Sequence, residues 1–221
     1  MRELIFDTET TGFDPLSGDR LIEIGLVEMV DKSLTGNHYH CYVNPERDVP
    51  ESAFKIHGLS TEFLSDKPVF SEIMDEFLVY IGDDSVLVAH NAEFDMKFIN
   101  WELEHAGRPI IHQKRFTDTL ALARTKFPGS PNSLDALCKR FAINNAHRTL
   151  HGALLDAEIL AEVYIELEGG RQGGMDLAME KASLSFAPKK KREPRSFPVK
   201  PEELQEHAHF IQQLDNPIWN T

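Results

Sequence analysis

The chain has 221 residues, of which 41% are hydrophobic and 27% charged, and its formal net charge is −13. This length suits one domain with an appendage, and the hydrophobic share is sufficient for a real core. Its two cysteines, Cys41 and Cys138, exclude a disulfide framework and a CxxC metal site, and favour a reducing cytoplasm. No apolar run approaches the ~18 residues that span a bilayer, and the first residues enter a strand without a secretory signal pattern, so we expect a cytoplasmic protein.

The negative charge is concentrated in residues 1–168, which hold 15 Lys and Arg against 29 Asp and Glu. Residues 169–221 hold 8 against 7. An acidic domain argues against direct attraction to nucleic acid, whose partners are usually basic. Either the partner is not a polyanion, or divalent metals and a helper protein allow the acidic domain to bind one.

The hydrophobic pattern up to residue 168 predicts alternating strands and helices, and therefore an α/β fold with a mixed sheet flanked by helices. The turn-rich segment TTGFDPLSGD forms the first connection. The predicted strands lie near residues 3–8, 21–30, 38–43, 85–90 and 116–120. The predicted helices lie near residues 70–82, 93–106, 133–142 and 152–167.

The composition changes after this domain. Four glycines within EGGRQGG, residues 168–174, end the last helix, and residues 169–200 are predicted to be a flexible linker. We interpret its basic run KKKR as a solvated segment rather than a localisation signal or a DNA contact. Residues 201–221 are predicted to form a tail with a short amphipathic helix, which begins at Pro201.

Two acidic residues follow a first strand that otherwise has a buried pattern. Asp7 and Glu9 come directly after the apolar run LIF. Alternate residues of a strand point to one side, which places the two carboxylates roughly 7 Å apart on the same face. Because like charges at this spacing repel, the pair needs a compensating partner.

Two later segments carry polar residues where helices begin. Asp95 ends HNAEFD and lies in the first turn of a predicted helix, and RTLHGALLD contains His151 and Asp156. Five residues turn an ideal helix by about 140° from one face to another. His151 and Asp156 can therefore serve one site only if His151 precedes the helix, where Gly152 gives the backbone freedom.

A cluster of Asp7, Glu9, Asp95 and Asp156 would be stable only with cations. Hard carboxylate ligands suit Mg²⁺ or Mn²⁺. Two such ions about 4 Å apart would activate a water and stabilise the leaving oxygen of a phosphodiester. Asp7 is the natural bridging ligand, and His151 is placed to take the proton of the attacking water.

Three motifs in this order resemble those of the DEDD exonucleases, in the subclass with a histidine five residues before the last aspartate. The motifs are DTETTG at 7–12, HNAEFD at 90–95 and HGALLD at 151–156. The resemblance covers residues 1–168. Three further stretches are most similar to the epsilon proofreading subunits of bacterial DNA polymerase III: IHGLS at 56–60, NSLDALCKRF at 132–141 and RTLHGALLDAEILAEVY at 148–164.

The resemblance implies a ribonuclease H-like fold and 3′→5′ hydrolysis of DNA that releases nucleoside monophosphates. It assigns two divalent metal ions to the four carboxylates and the role of general base to His151. Asp7, Glu9 and Asp156 would also contact the substrate, a single-stranded or frayed 3′ end.

The resemblance also assigns the pocket for the terminal nucleotide to segments that contain Thr10, Thr11 and His57. Asn91 is a further pocket candidate, although an Asn before a helix is first of all an N-cap. We interpret Asp118 as structural.

The C-terminal region suggests two partners. QGGMDL resembles the short motif by which bacterial replication proteins bind the sliding clamp, with contacts from Gln172, Met175 and Leu177, although it could also be the frayed end of the last helix. In epsilon subunits the tail tethers the exonuclease to the polymerase alpha subunit, and a theta-like subunit is a further candidate partner. The apolar tail residues expected at the polymerase are Leu204, Ile211, Leu214 and Trp219.

Two other functions remain open. The chain could be a stand-alone exoribonuclease that resembles oligoribonuclease or ribonuclease T, although the tail argues against this. It could instead be mainly a structural replisome adaptor that bridges polymerase and clamp, although the intact metal ligands argue against this. Tethering would also explain how an acidic domain can act on DNA. A tethered enzyme obtains its substrate by high effective concentration and does not need to attract DNA itself.

Overall fold

The computed structural model describes residues 1–146, 150–170 and 198–214. The described residues belong to two compact units, residues 1–170 without the gap and residues 198–214. Across these described ranges, no helix combines the length and the apolar character that crossing a bilayer requires.

Five strands form one mixed sheet in the order β3-β2-β1-β4-β5. The strands are β1 (Arg2–Thr10), β2 (Leu21–Val30), β3 (Ser33–Tyr42), β4 (Val86–Ala89) and β5 (Phe116–Asp118). β1 and β2 pair antiparallel, as do β2 and β3, whereas β1 pairs with β4, and β4 with β5, in parallel. β1 therefore lies at the centre of the sheet with a neighbour on each side.

Helices cover both faces of the sheet in the larger unit. They are α1 (Glu51–His57), α2 (Thr61–Leu64), α3 (Phe70–Ile81), α4 (Ala92–His105), α5 (Thr119–Lys126), α6 (Leu134–Phe141) and α7 (Ala153–Leu167). Leu4 and Phe6 pack with α3 and α4 on one face, whereas Ile5 packs with α7 on the other. This alternation of buried residues explains why β1 has an unbroken apolar run.

The predicted α/β architecture is confirmed, with corrections at individual elements. The strand predicted near residues 116–120 ends at Asp118, where the carboxylate accepts a hydrogen bond from Leu120 N at 2.9 Å and begins α5. β3 begins at Ser33, several residues earlier than predicted. Three helices, α1, α2 and α5, were not predicted. α1 and α2 have only seven and four residues and are too short to show a clear helical period, and the start of α5 falls within the strand predicted near residues 116–120.

The smaller unit contains α8 (Pro201–Gln212), which begins at the predicted proline. Leu204 on α8 is exposed, and Leu214 lies just beyond its end. The predicted linker from residue 171 to 197 lies outside the described residues, together with its clamp-type motif and its basic run. Trp219 also lies outside them.

Candidate active site

The carboxyl end of β1 carries the two acids that the sequence singled out. Asp7 and Glu9 alternate with Thr8, so they share the face of the sheet that α7 covers, whereas Thr8 points to the face of α4. Glu9 is buried and Asp7 is half-buried. β1 thus presents carboxylates toward α7 and a hydroxyl toward α4.

Asp95 lies in the first turn of α4 and is buried. The Thr8 hydroxyl donates a hydrogen bond of 2.7 Å to Oδ1 of Asp95, which holds this carboxyl against β1. Burial raises the pKa of Asp95 to about 7, although the hydrogen bond from Thr8 opposes the shift. Burial therefore disfavours the charged form of the Asp95 carboxyl.

Asp156 reaches the same region because α7 packs directly on the sheet. In the β1–β2 ladder Gly25 lies opposite Asp7, and a Cβ atom on Gly25 would lie 2.3 Å from the backbone nitrogen of Leu154. Only a glycine allows this approach. The first turn of α7 therefore lies against the strand pair, and Asp156 on that turn is buried next to it.

His151 precedes α7, whose N-cap is Gly152. The backbone N–H of His151 donates to the carbonyl of Ile56 on α1 at 3.1 Å. The imidazole Nδ1 lies 3.3 Å from Oδ2 of Asp156 and is about half exposed, whereas Asp156 is buried. The two side chains meet because His151 is outside the helix.

Three of the five candidate residues form a compact group of ligand atoms. One such atom from each of Glu9, His151 and Asp156 lies within 4.8 Å of the others. Asp7 lines the same cleft as His151 and Asp156, while Asp95 is joined to this end of β1 through Thr8. The structure therefore places all five around the carboxyl end of β1, and oxygen-rich groups of this kind suit hard divalent cations.

Two cavities adjoin this group. The larger, of about 820 Å³, includes Asp7, His151 and Asp156 in its wall. The smaller, of about 150 Å³, includes Glu9 in its wall. The apolar part of the smaller cavity consists of Phe13, Ala53, Ile56 and Phe94. The carboxylates thus lie between a small, partly apolar cavity and a large polar one.

Thr10, Thr11 and His57 all line the smaller cavity. The Thr10 hydroxyl donates to the Gly12 carbonyl at 2.6 Å, and the Thr11 hydroxyl accepts from Arg20 N at 2.9 Å. Both threonine hydroxyls therefore hold the loop after β1, a task that the sequence did not indicate.

His57 ends α1, and its Nδ1 accepts a hydrogen bond from Leu59 N at 3.0 Å. Its buried Nε2 has no hydrogen-bond partner among the described residues. Burial lowers the pKa of His57, and the nearby charge of Glu23 only partly opposes this. The ring is therefore neutral and has one nitrogen left for a ligand in the cavity.

Asn91 lies at the expected N-cap position, but its side chain does not cap the helix. Asn91 occupies the N-cap position of α4, but its φ of 69° is left-handed and its side chain makes no capping hydrogen bond. Its backbone N–H instead donates to Asp118 at 2.9 Å, and its side chain lines the larger cleft. Asp118 also caps α5, which agrees with the structural role expected for it.

The sequence did not reveal the residues that hold these groups in place: Thr8, Gly25 and Ile56. Gly25 did carry a signal, because a glycine in the interior of an apolar strand often marks a close backbone approach. Thr8 and Ile56 carried none, since a threonine and an isoleucine are ordinary residues in a strand and in a short helix.

Comparison with known proteins identifies the family of the chain. The family model for exonucleases, RNase_T, matches residues 4–164. The DNA polymerase III subunit epsilon of Rickettsia typhi is 52% identical over 223 residues, which cover 97% of each chain. The subunit of the same name from Escherichia coli K12 is 51% identical over 186 residues, 81% of this chain and 76% of the relative.

Solved structures show the same fold. Exonuclease X in complex with 5′ overhanging duplex DNA superposes with a TM-score of 0.58 at 29% identity, over 75% of this chain and 89% of its own. The nuclease domain of 3′hExo, a DEDDh family member bound to rAMP, gives a TM-score of 0.64 at 17% identity, over 76% of this chain and 92% of its own. The chain belongs to the exonuclease family and, within it, to the DNA polymerase III epsilon subunits, the 3′→5′ proofreading exonucleases.

Proposed function

We propose that this protein removes mispaired 3′-terminal nucleotides from DNA at a replicative polymerase, and that Asp7, Glu9, Asp95, Asp156 and His151 perform the hydrolysis. The observation that carries the proposal is the group formed by Glu9, His151 and Asp156, whose ligand atoms lie within 4.8 Å of one another at the end of a central strand. Such a group suits hydrolysis of a phosphodiester better than binding alone, because it combines metal ligands with a base.

Exonucleases of this family use divalent metal ions. In this proposal Asp7, Glu9, Asp95 and Asp156 would hold two ions, Mg²⁺ or Mn²⁺. Buried carboxylates such as Asp95 and Asp156 fit this assignment, because a cation compensates charge that burial penalises. When bound, the ions would supply Lewis acidity at the scissile phosphate and neutralise the charge that develops there.

His151 acts as the general base in this proposal. Its exposed imidazole accepts a proton from the attacking water, and Asp156 at 3.3 Å orients the ring. The water oxygen forms a bond to phosphorus, the bond from phosphorus to the 3′ oxygen of the preceding nucleotide breaks, and that oxygen takes a proton. The products are a nucleoside 5′-monophosphate and a strand shorter by one residue.

The smaller cavity takes the terminal nucleotide in this proposal, through Thr10, Thr11 and His57. Its apolar wall suits the face of a base. Because Glu9 also lines this cavity, a nucleotide bound there would lie next to the group of carboxylates. At about 150 Å³ it is too small for a base pair. A frayed or single-stranded end would therefore enter it, which favours mispaired termini. Asn91 would contact the strand from the larger cleft.

The names of the relatives support an assembly of this chain with DNA polymerase III on DNA. We assign the alpha subunit to the tail, through Leu204, Ile211, Leu214 and Trp219, and the sliding clamp to Gln172, Met175 and Leu177. A theta-like subunit is a further candidate, and the compartment is the bacterial cytoplasm. The domain limits stay as predicted from the sequence: an exonuclease domain at 1–168, a linker at 169–200 and a tail at 201–221.

Two binding measurements test these partners. A chain that ends near residue 186 should no longer co-elute with the alpha subunit, and continued co-elution would contradict the role of the tail. Alanine at Gln172, Met175 and Leu177 should weaken binding to the clamp, and an unchanged affinity would remove that assignment.

The chemistry is tested by a time course on a 5′-labelled DNA primer with a paired or mispaired 3′ end. We expect a ladder that shortens from the 3′ end, faster on the mispair, and that disappears with EDTA or in the Asp7→Ala variant. Degradation of matching RNA but not DNA would indicate an RNA-processing enzyme. Activity on neither would leave a structural adaptor as the function.

A further inference from the structure

The larger cleft extends beyond the carboxylates along α5 and the turn before α6. This part of its wall, which we call the α5 wall, consists of Leu120, Arg124, Ser130, Asn132 and Ser133. None of these residues belongs to the hydrolytic group or to the pocket for the terminal nucleotide. The α5 wall is uncharged except for one guanidinium.

Arg124 is the cation of the α5 wall. It follows Leu120 by four residues on α5, so both project from one helix face into the cleft. Arg124 is exposed, and among the described residues its guanidinium makes no hydrogen bond or ion pair. Its charge adds to the effect of burial in lowering the pKa of His90, another residue of the cleft. The guanidinium therefore faces the cleft with its donors available.

The two cavities give the bound strand a direction. The smaller one, of about 150 Å³, is too small for the terminal nucleotide together with the chain that precedes it. The larger one begins at Asp7, His151 and Asp156 and has about 820 Å³. Once the scissile phosphate lies at the carboxylates, the 5′ part of the strand has to continue through the larger cleft.

We propose that Arg124 binds a backbone phosphate on the 5′ side of the scissile phosphate, so that the strand leaves the site along α5. This inference rests on the proposed function. A guanidinium presents a planar pair of N–H donors that matches two phosphate oxygens, and phosphate contacts fix the register of a strand without reading its sequence. Such a contact suits an enzyme that has to shorten any sequence.

The remaining charges of the cleft agree with this path. Asp135 also lines the cleft, on the first turn of α6, and its Oδ1 accepts a hydrogen bond from Asn145 at 3.0 Å. A carboxylate there offers no donor to a phosphate, so the phosphate contact falls to Arg124. In a domain with a large excess of acidic residues, one well-placed cation orients the strand without attracting nucleic acid in general.

The test compares Arg124→Gln with the wild-type full-length chain on two substrates. One is a single-stranded DNA oligonucleotide, and the other is p-nitrophenyl thymidine 5′-monophosphate, which has no phosphate beyond the scissile one. Arg108→Gln is the matched control, because Arg108 lies outside the cleft in an exposed ion pair with Asp75. Circular dichroism and thermal melting compare the folding of all three proteins.

We expect Arg124→Gln to lower the ratio of kcat/KM on the oligonucleotide to kcat/KM on the ester by about tenfold, mainly through KM. For the oligonucleotide, the slope of log kcat/KM against log salt concentration is expected to be negative. In Arg124→Gln this slope should become less negative by about 0.7, the value for one phosphate of a single strand. Arg108→Gln should retain the wild-type ratio and slope.

An equal loss on both substrates, or a ratio and slope like those of wild type, would overturn the role of Arg124 while the proposed function stands. Failure of the wild-type chain to shorten any 3′ end would instead overturn the proposed function. The two failures are therefore distinguishable in one set of measurements.

Discussion

Nδ1 of His151 lies 3.3 Å from Oδ2 of Asp156, although His151 is outside the helix that carries Asp156. The backbone of His151 is held by Ile56 on α1, and Leu150 lies against the left-handed turn at Gly58. The imidazole is thus positioned from two sides: by α7 through Asp156, and by α1 through the main chain.

Replacement of His151 tests its role as base. His151→Gln should lower kcat by about 10²–10⁴-fold, because a positioned general base contributes about this much, while binding of a single-stranded oligonucleotide should persist. Single-turnover cleavage and fluorescence anisotropy measure the two quantities. His38→Gln, at an exposed position of β3, is the control and should behave like wild type. Full activity of His151→Gln would exclude this residue as the base.

A methyl group at Gly25 should separate α7 from β1. Because its Cβ would lie 2.3 Å from backbone atoms of α7, we expect Gly25→Ala to destabilise the fold by at least about 2 kcal/mol and to reduce exonuclease activity through displacement of Asp156. Urea denaturation and the primer assay are the measurements. At Gly152 a Cβ would meet nothing within 4 Å, so Gly152→Ala should cost less, about 0.5–1 kcal/mol for an alanine at an N-cap position. Equal costs at the two positions would contradict the close packing.

Asp95 should make the stability of the metal-free protein depend on pH. Burial raises its pKa in the folded state from 3.8 to about 7, so its stabilising effect is complete below pH 3.8 and is lost as the pH rises through 7. In EDTA, Asp95→Asn should therefore raise Tm more at pH 8 than at pH 5.

Addition of metal should reverse the difference in Tm between Asp95→Asn and the wild-type protein. With Mg²⁺ or Mn²⁺ at pH 8, the wild-type protein should gain more in Tm than Asp95→Asn, because the ion compensates the buried carboxylate that the variant lacks. Thermal melts at both pH values, with and without metal, supply the comparison. A pH-independent difference between the two proteins in EDTA would show that the charge of Asp95 is not the cause.

The loop after β1 should depend on a partly buried ion pair. Arg20 donates from Nε to Oε1 of Glu102 at 2.7 Å and from Nη2 to Oε2 at 3.0 Å, and Glu102 is buried on α4. Arg20→Met should cost about 3–5 kcal/mol of unfolding free energy, because it leaves that carboxylate without its cation. The double variant Arg20→Met/Glu102→Leu should recover most of the loss in urea denaturation. Lack of recovery would assign the loss to other contacts of Arg20.

The sequence predicted the parts of the fold that have a long hydrophobic period. β1, β2, α3, α4 and α7 each bury a regular pattern of residues, and each lies close to its predicted limits. The acids at the end of β1 were recognisable for the same reason. A polar pair stands out where the pattern of a central strand predicts burial on both faces.

The remaining features depend on contacts that no local pattern contains. The helix α1 has only seven residues, yet it supplies His57 to the smaller cavity and the carbonyl that holds His151. Thr10 and Thr11 were predicted as pocket residues, but their hydroxyls bond to the loop backbone. Such pairings arise from the three-dimensional arrangement of separate segments, so residue type and spacing alone did not reveal them.

The close approach of α7 to Gly25 has a consequence for synthesis of the protein. Asp7 and Asp156 are separated by most of the domain, so the site forms only through a contact of very long sequence separation. A nascent or prematurely terminated chain that ends before residue 151 lacks both His151 and Asp156. On the proposed mechanism, we expect such a chain to leave DNA uncleaved, and nuclease activity to begin only when α7 has been made and has packed on the sheet.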